Sequence, residues 1–363
     1  MKKTITENKT KIFAYIENKI SKKLPVFYNP KMKLNRDISI LLLNSLSKKQ
    51  MQIALPLSGS GIRGIRFLQE LKKGKIKNIT FNDHSKDAVK LIENNLELNE
   101  IDINKEIKIK KKDLKNIKQK KNNLSYNDAN LFLLESSGFD YIDIDPFGTP
   151  NPFLNNAIIR LARNGILAVT ATDTSALAGT YPNACIRKYW SVPLRNELKH
   201  EIGIRILIRK VQLIASQFEK ALTPIFSHST DHYMRVYFQA EKGKTKVDKI
   251  LKQLDYYNNI GPIWTGQLWD NKLTKKMLKN TKNNPDLYNL IKTIADESQI
   301  PTLGFYEIHE ICKRNKIHNP PKHEIIIKKI KSRKFKVSKT HFNKFGLRSD
   351  IDEETFINIL KRT

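Results

Sequence analysis

The residues best suited to chemistry form the run Tyr141-Ile142-Asp143-Ile144-Asp145-Pro146-Phe147-Gly148. Its apolar residues predict a strand that ends at Asp145. In an open α/β sheet the carboxyl ends of strands face the ligand crevice. An acid, a proline and an aromatic at such a place suit the activation of an amine attached to a flat ring. Guanine N2 is such an amine, and a poor nucleophile, because its lone pair is delocalised into the ring. The Asp145 carboxylate and the Pro146 carbonyl can hold that amine and draw on its proton, while Phe147 stacks on the base. A plain strand-end turn accounts for the acid but not for all three together. Asp143, two residues earlier on the same strand face, is expected to support the site from behind.

Three further clusters point to a nucleoside ligand. Ser58-Gly59-Ser60-Gly61-Ile62-Arg63-Gly64 follows a predicted strand and opens a helix. Gly59, Gly61 and Gly64 give the GxGxxG spacing, which permits a tight turn and close backbone approach to a ligand. The same spacing serves NAD, so it does not choose the cofactor. Asp83 lies about 20 residues further on, where a carboxylate can bind a ribose diol. Capping of the next helix is its plainer role. In Asn127-Asp128-Ala129-Asn130 the acid can accept from an adenine amine with Ala129 against the ring. Without context that tetrapeptide reads as a turn.

The elements that must carry these residues alternate. Strands are predicted at Met51–Leu57, Ile79–Phe81, Ile107–Ile109, Phe139–Ile144 and Ile166–Thr170. Helices are predicted at Arg36–Leu46, Ile62–Leu71, Lys86–Asn99 and Asn151–Ala162. This alternation indicates a parallel α/β sheet covered by helices. The helix Leu198–Phe218 and two adjacent antiparallel strands, Pro224–Ser229 and Tyr233–Ala240, follow. Before all of these, Pro25 to Pro30 predicts an extended segment. The break Glu241–Lys246 divides a domain of 1–243 from one of 244–363. In the second, helical patterns at Asp248–Leu254, Leu273–Leu278 and Asp286–Ala295 and two more within Gly304–Ile330 precede an alternating stretch, Phe335–Ser349. Helices followed by a hairpin resemble a winged helix; a generic small α/β domain fits equally well.

Composition sets the setting. Lys and Arg number 66 against 36 Asp and Glu, a net charge of +30. Such a field favours a polyanionic partner, although a lysine-rich proteome produces the same excess. Eight lysines from Lys108 to Lys121 face Asp113 alone and read as a solvated loop. The two cysteines, Cys185 and Cys312, offer no disulfide framework or zinc knuckle. The polar start and the lack of a long apolar run lead us to expect a cytoplasmic protein without a membrane partner.

Taken together, these sites resemble the tRNA guanine-26 N2-dimethyltransferase family in its archaeal form. The similarity runs over nearly the whole chain. It includes Val26-Phe27-Tyr28-Asn29-Pro30, Leu34-Asn35-Arg36-Asp37, Gly61 to Phe67 and Asp145-Pro146-Phe147-Gly148. It continues in Thr170 to Asp173, Pro182, Ala184-Cys185, Arg187-Lys188-Tyr189, Val192 to Arg195, Asp231-His232-Tyr233, Gly261 to Trp264 and Thr340-His341-Phe342. The resemblance implies a Rossmann-like methyltransferase domain followed by a smaller α/β domain that binds tRNA. It implies S-adenosylmethionine held by Arg36, Arg63, Asp83, Asp128 and Ala129 over the loop of Gly59 and Gly61, with Asp145 catalytic. Arg36 and Arg63 suit the cofactor carboxylate. Arg66 is expected to meet tRNA or to pack, and Asp173 to line the base pocket. Some family members hold zinc with a cysteine cluster; here Cys312 stands alone in the C-terminal part, so no metal is expected. A monomer is the default. An NAD-dependent oxidoreductase and a non-catalytic RNA-binding protein are the alternatives. The first has no use for Asp-Pro-Phe-Gly, and the second none for an intact glycine loop.

Overall fold

The computed structural model describes residues 2–16, 24–102, 104–105, 122–281 and 284–362. The chain forms two compact units. One comprises Met1–Pro146, Pro150–Val169 and Gln239–Lys242; the other comprises Phe147–Thr149, Thr170–Phe238 and Gly243–Thr363. The crossing at 242/243 adjoins the expected boundary, and the chain crosses at four earlier points as well.

The first unit opens with a hairpin of β1 (Lys2–Glu7) and β2 (Thr10–Tyr15). Its two-residue turn uses the left-handed backbone of Asn8, φ 51°, as tight hairpin turns require. The polar composition of this stretch gave no sign of strands. After α1 (Lys33–Ser45) come β3 (Met51–Leu55), α2 (Ile62–Glu70), β4 (Ile76–Asp83) and α3 (Lys86–Leu98). Next are β5 (Asn104–Lys105), β6 (Asn122–Tyr126), α4 (Ala129–Glu135), β7 (Phe139–Ile144), α5 (Asn151–Arg160) and β8 (Leu161–Ala171). The strand expected at Ile107–Ile109 and the lysine run Lys108–Lys121 lie outside the described residues.

These strands lie in the order β5-β6-β4-β3-β7-β8, every pairing parallel. The chain winds outward from β3 through β4 and β6, then crosses to β7 on the other side of β3. In open α/β sheets the ligand crevice lies at such a reversal, beyond the carboxyl ends of the strands. Gly64 lets α2 sit close on the sheet. A Cβ there would meet the Phe81 ring at 2.2 Å and Leu55 at 2.6 Å.

The second unit begins with α6 (Thr174–Leu177), α7 (Pro182–Tyr189) and α8 (Lys199–Ser216). The strands β9 (Lys220–Thr230) and β10 (Tyr233–Lys242) are neighbours joined by the turn Asp231-His232. There follow α9 (Lys244–Leu251), β11 (Leu254–Tyr257), β12 (Ile260–Trp264), α10 (Asn271–Asn280) and α11 (Pro285–Glu297). The last stretch holds β13 (Tyr306–Glu307), α12 (Ile308–Arg314), α13 (His323–Ser332), β14 (Val337–Lys339), β15 (Gly346–Ser349) and α14 (Glu353–Lys361). From α11 to β15 the order is helix, strand, two helices, two strands. The antiparallel sheet runs β13-β15-β14, the winged-helix arrangement. Ile308, Ile311, Ile326, Ile330, Leu347 and Phe356 form its core.

A buried charge network braces this unit. Glu201 of α8 accepts from Arg205 (Nε, 3.0 Å; Nη2, 2.8 Å), from Arg348 of β15 (Nη2, 2.7 Å) and from the Gly304 amide at 3.0 Å. Arg348 also donates to Glu297, and His341 donates its backbone amide to the same carboxylate. Burial alone would raise Glu201, but Arg348 and Arg205 outweigh it and hold the carboxyl down at about 2. We expect Arg348→Ala to leave buried Glu297 without a guanidinium partner and Glu201 with Arg205 alone, and to destabilise by about 3–5 kcal/mol in urea titrations. The depressed Glu201 pKa also fixes a pH dependence. Its contribution is complete above the ordinary glutamate value of 4.5 and is lost as pH falls from there through about 2. Thermal midpoints recorded across that window should drop, and the drop should be smaller in a Glu201→Gln background.

Candidate active site

The parallel sheet brings the carboxyl ends of β3, β4, β6 and β7 to one edge, and each end carries one sequence cluster. After β3, Gly59 and Gly61 adopt φ of 53° and 77°. Gly61 is the residue immediately before α2, where a left-handed conformation favours glycine. The loop is tied to the end of β4. The Gly59 amide donates to Asp83 Oδ2 at 2.8 Å, and the Ser58 amide donates to the Asn82 carbonyl at 2.9 Å.

Asp83 is therefore not the helix cap that its position suggested. Ser85 caps α3, accepting from the Ala88 amide. The other Asp83 oxygen accepts from the Ser85 amide at 3.0 Å, so this carboxylate holds the glycine loop and the helix start together. Asn82 beside it is fully buried. Its side-chain amide donates to the carbonyls of Pro56 and Asn127, both at 3.0 Å, stapling three strand ends. Asp128 caps α4 by accepting from the Asn130 and Leu131 amides at 2.8 and 3.2 Å, and Ala129 behind it is buried. The tetrapeptide read as a turn is thus a helix start.

Arg63 reaches the end of β7 from α2. Its Nη2 donates to Asp145 Oδ2, its Nη1 donates to Ser39 Oγ at 2.9 Å, and its Nε lies 3.7 Å from Asp143 Oδ2. Asp143 also accepts from the Tyr141 hydroxyl at 2.6 Å. The acid behind the site and the acid at its mouth therefore share one guanidinium. Asp145 keeps 19% of its side chain exposed, and Phe147, two residues on, is 53% exposed.

Arg36 and Arg66 meet at Glu7 of β1. Arg36 donates to Glu7 through Nε at 2.9 Å and Nη2 at 2.5 Å, and Arg66 Nη1 donates to it at 3.1 Å. Arg66 also donates to Asp37 and Glu70, both at 2.6 Å. Arg66 is fully buried, so it packs and does not face tRNA. Burial would raise the Glu7 carboxyl, but the hydrogen bond and charge of Arg36 prevail and hold it below the usual range. Glu7 was not among the candidates from sequence. It stands alone among lysines and threonines, and nothing in its spacing marks it. The hairpin is anchored further by Asn95, which accepts from the Phe13 amide at 2.7 Å and donates to the Ser60 carbonyl at 2.9 Å.

In the second unit, Asp173 accepts from the Tyr189 hydroxyl at 2.6 Å and from Lys188 at 3.2 Å. The Tyr189 hydroxyl also lies 3.1 Å from Thr149 Oγ1. Gly148 and Thr172 exchange two hydrogen bonds, one through the Thr172 hydroxyl at 2.7 Å and one backbone at 2.9 Å. Cys185 and Cys312 are buried free thiols.

Comparison with known proteins matches this arrangement over its full length. The profile of the family described as N2,N2-dimethylguanosine tRNA methyltransferase matches residues 2–259 and 253–361. A tRNA (guanine(26)-N(2)/guanine(27)-N(2))-dimethyltransferase of Aquifex aeolicus is 36% identical, covering 94% of this chain and 91% of that protein. A tRNA (guanine(26)-N(2))-dimethyltransferase of Methanobrevibacter smithii is also 36% identical, covering 99% and 97%. Among solved structures, Trm1 from Pyrococcus horikoshii in complex with S-adenosyl-L-methionine superposes with a TM-score of 0.85 at 34% identity. It covers 98% of this chain and 99% of its own.

The Glu7 contacts predict a stability effect. Glu7→Ala leaves two buried guanidinium groups short of their shared partner and should destabilise by about 3–5 kcal/mol. Chemical unfolding would read the loss; a change within error would show that the hairpin does not brace this cluster.

Proposed function

The chain belongs to the N2,N2-dimethylguanosine tRNA methyltransferase family, and on that premise we propose that the strand-end cluster around Asp145 is its methyl-transfer site. The reaction moves methyl groups from S-adenosylmethionine to N2 of guanine-26 in tRNA, twice, giving N2,N2-dimethylguanosine. One observation carries the assignment of Asp145: its carboxylate stands at the end of β7, fixed by Arg63 and partly open, two residues before an exposed aromatic ring.

The donor set fits the cofactor. Arg36, held on Glu7, and Arg63, held on Ser39 and Asp145, would each turn a remaining N–H to its carboxylate. Asp83 suits the ribose diol, and Asp128 with Ala129 suits the adenine. Gly59 and Gly61 keep the loop free of side chains, so the backbone can approach closely. When bound, S-adenosylmethionine supplies a methyl group already activated by its sulfonium. The chain's own work is therefore positioning. Phe147 stacks on the guanine once it has left the helical stack. Asp145 and the Pro146 carbonyl accept hydrogen bonds from the N2 amine, aim its lone pair and take up the developing positive charge as the bond forms. Arg63 and Ser39 set the direction of the Asp145 carboxylate.

Residues 1–243 serve as the methyltransferase domain, and 244–363, with the winged helix, as the tRNA-binding domain. The net charge of +30 supplies the phosphate attraction that holds the RNA. The reading includes a cytoplasmic monomer that works without a metal ion. None of the described helices is long and apolar enough to cross a membrane.

Asp145→Ala should lower the methylation rate by at least about 100-fold, the usual scale of a lost acid–base group. Binding of S-adenosylhomocysteine and of unmodified tRNA should stay close to wild type. Nucleoside mass spectrometry of tRNA incubated with enzyme and cofactor reads both the rate and the product. Wild-type turnover by the variant would remove Asp145 from its role, and no N2-methylated guanosine from the wild-type enzyme would overturn the whole reading.

A further inference from the structure

Helix α7 is ordered on one side and conspicuously open on the other. Cys185 and Tyr189 are fully buried on its inner face, and the Tyr189 hydroxyl bonds to Asp173 and Thr149. On the outer face Asn183, Ile186, Arg187 and Trp190 follow the i, i+3, i+4, i+7 spacing of a single helical stripe, and all four are exposed. Trp190 is 51% exposed, Ile186 44%, and Tyr181, at the other end of the helix, 63%.

Trp190 closes the helix in the left-handed region, at φ 55° and ψ 43°. Glycine or asparagine usually takes this position, because a side chain there is strained and a bulky one is a true outlier. The other non-glycine residues with positive φ among the described residues are Asn, Asp, Gln, Glu and Lys. A strained residue with a large apolar ring left in solvent calls for a functional reason. Its ring is also held in place: the Lys210 ammonium sits 2.9 Å from the ring centroid, and Arg209 donates to the Trp190 carbonyl at 2.9 Å.

An aromatic platform set among cations is the surface that unpaired nucleic-acid bases stack on. Arg187 is exposed on the same stripe as Trp190, Lys188 is exposed and bridges to Asp173 at 3.2 Å, and the segment Tyr181–Trp190 carries no acid. The inner face of the same helix binds Asp173 and Thr149, the residue after Asp-Pro-Phe-Gly. We infer that the outer face of α7 is an RNA-contacting surface on which a base of the tRNA, a neighbour of the methylated guanine, stacks on the Trp190 ring while Arg187 meets its phosphates. This inference rests on tRNA being the substrate, and it adds which surface reads the strand around the target.

The chain supplies its own probe. Of its three tryptophans, Trp264 and Trp269 are 2% and 5% exposed, so acrylamide quenching reports mainly on Trp190. Saturating unmodified tRNA should remove most of that quenching in the full-length protein. Trp190→Ala should raise KM for tRNA about tenfold, the scale of one lost base–aromatic stack, leave S-adenosylhomocysteine affinity within about twofold, and be largely rescued by Trp190→Phe. Quenching that persists with tRNA bound, or an unchanged KM in a folded Trp190→Ala variant, overturns the inference while the methylation assignment stands. Absence of tRNA binding or methylation by the wild-type enzyme overturns both.

Discussion

A guanidinium can be buried only if its fork is filled, and much of the first unit is arranged to fill three of them. Arg36 and Asp37 lie on α1, Arg63 and Arg66 on α2, and Glu7 on the N-terminal hairpin. Arg66 is satisfied by three acids, Arg36 by Glu7, and Arg63 by Ser39, Asp143 and Asp145. Removing one member would leave another charge desolvated, which is far more unfavourable than never having buried the set. The helix pair is thus held to the hairpin and to the end of β7 by the same requirement. The Asp145 carboxylate inherits its direction from this arrangement, through Arg63.

The second unit uses the same device with different partners. Glu201, Arg205, Glu297 and Arg348 are nearly or fully excluded from solvent, and they join α8, α11 and β15. Hydrophobic packing brings helices together without specifying register. Charges that must meet at 2.7 to 3.2 Å do specify it. The polar interior therefore fixes which turn of a helix faces which strand, as the apolar core of the winged helix cannot do alone.

Much of this was legible in sequence because periodicity reports burial. The strand Phe139–Ile144 and the helices beginning at Ile62 and Lys86 follow directly from alternation and 3.6-residue spacing. The placement of Asp145-Pro146-Phe147 at the end of β7 was legible because an apolar run stops there. Roles that depend on partners distant in sequence were not. Asp83 looked like a cap because a helix follows it, yet Ser85 does the capping and Asp83 holds a loop 24 residues away. Asp128 looked like a turn residue, since its helix α4 is only seven residues long and too short for a clear period. Arg66 looked available because arginine is usually solvated; three acids, one from residue 7, draw it inside. Glu7 itself sits in a polar hairpin whose strands show little apolar alternation, so neither the element nor the residue announced itself.

The hairpin has a consequence for how the protein comes into being. It leaves the ribosome before the segments it docks on: Asn8 bonds to Glu70, Phe13 to Asn95 and Lys11 to Asn99, separations of 62, 82 and 88 residues. Contacts of such long range close slowly, because loop entropy must be overcome before they form. The hairpin therefore waits for β3, α2, β4 and α3 to be synthesised and to collapse before it can dock. Until it does, Arg36 and Arg66 lack their shared acid. A segment made before its partners thus acts as the clasp that closes the nascent domain.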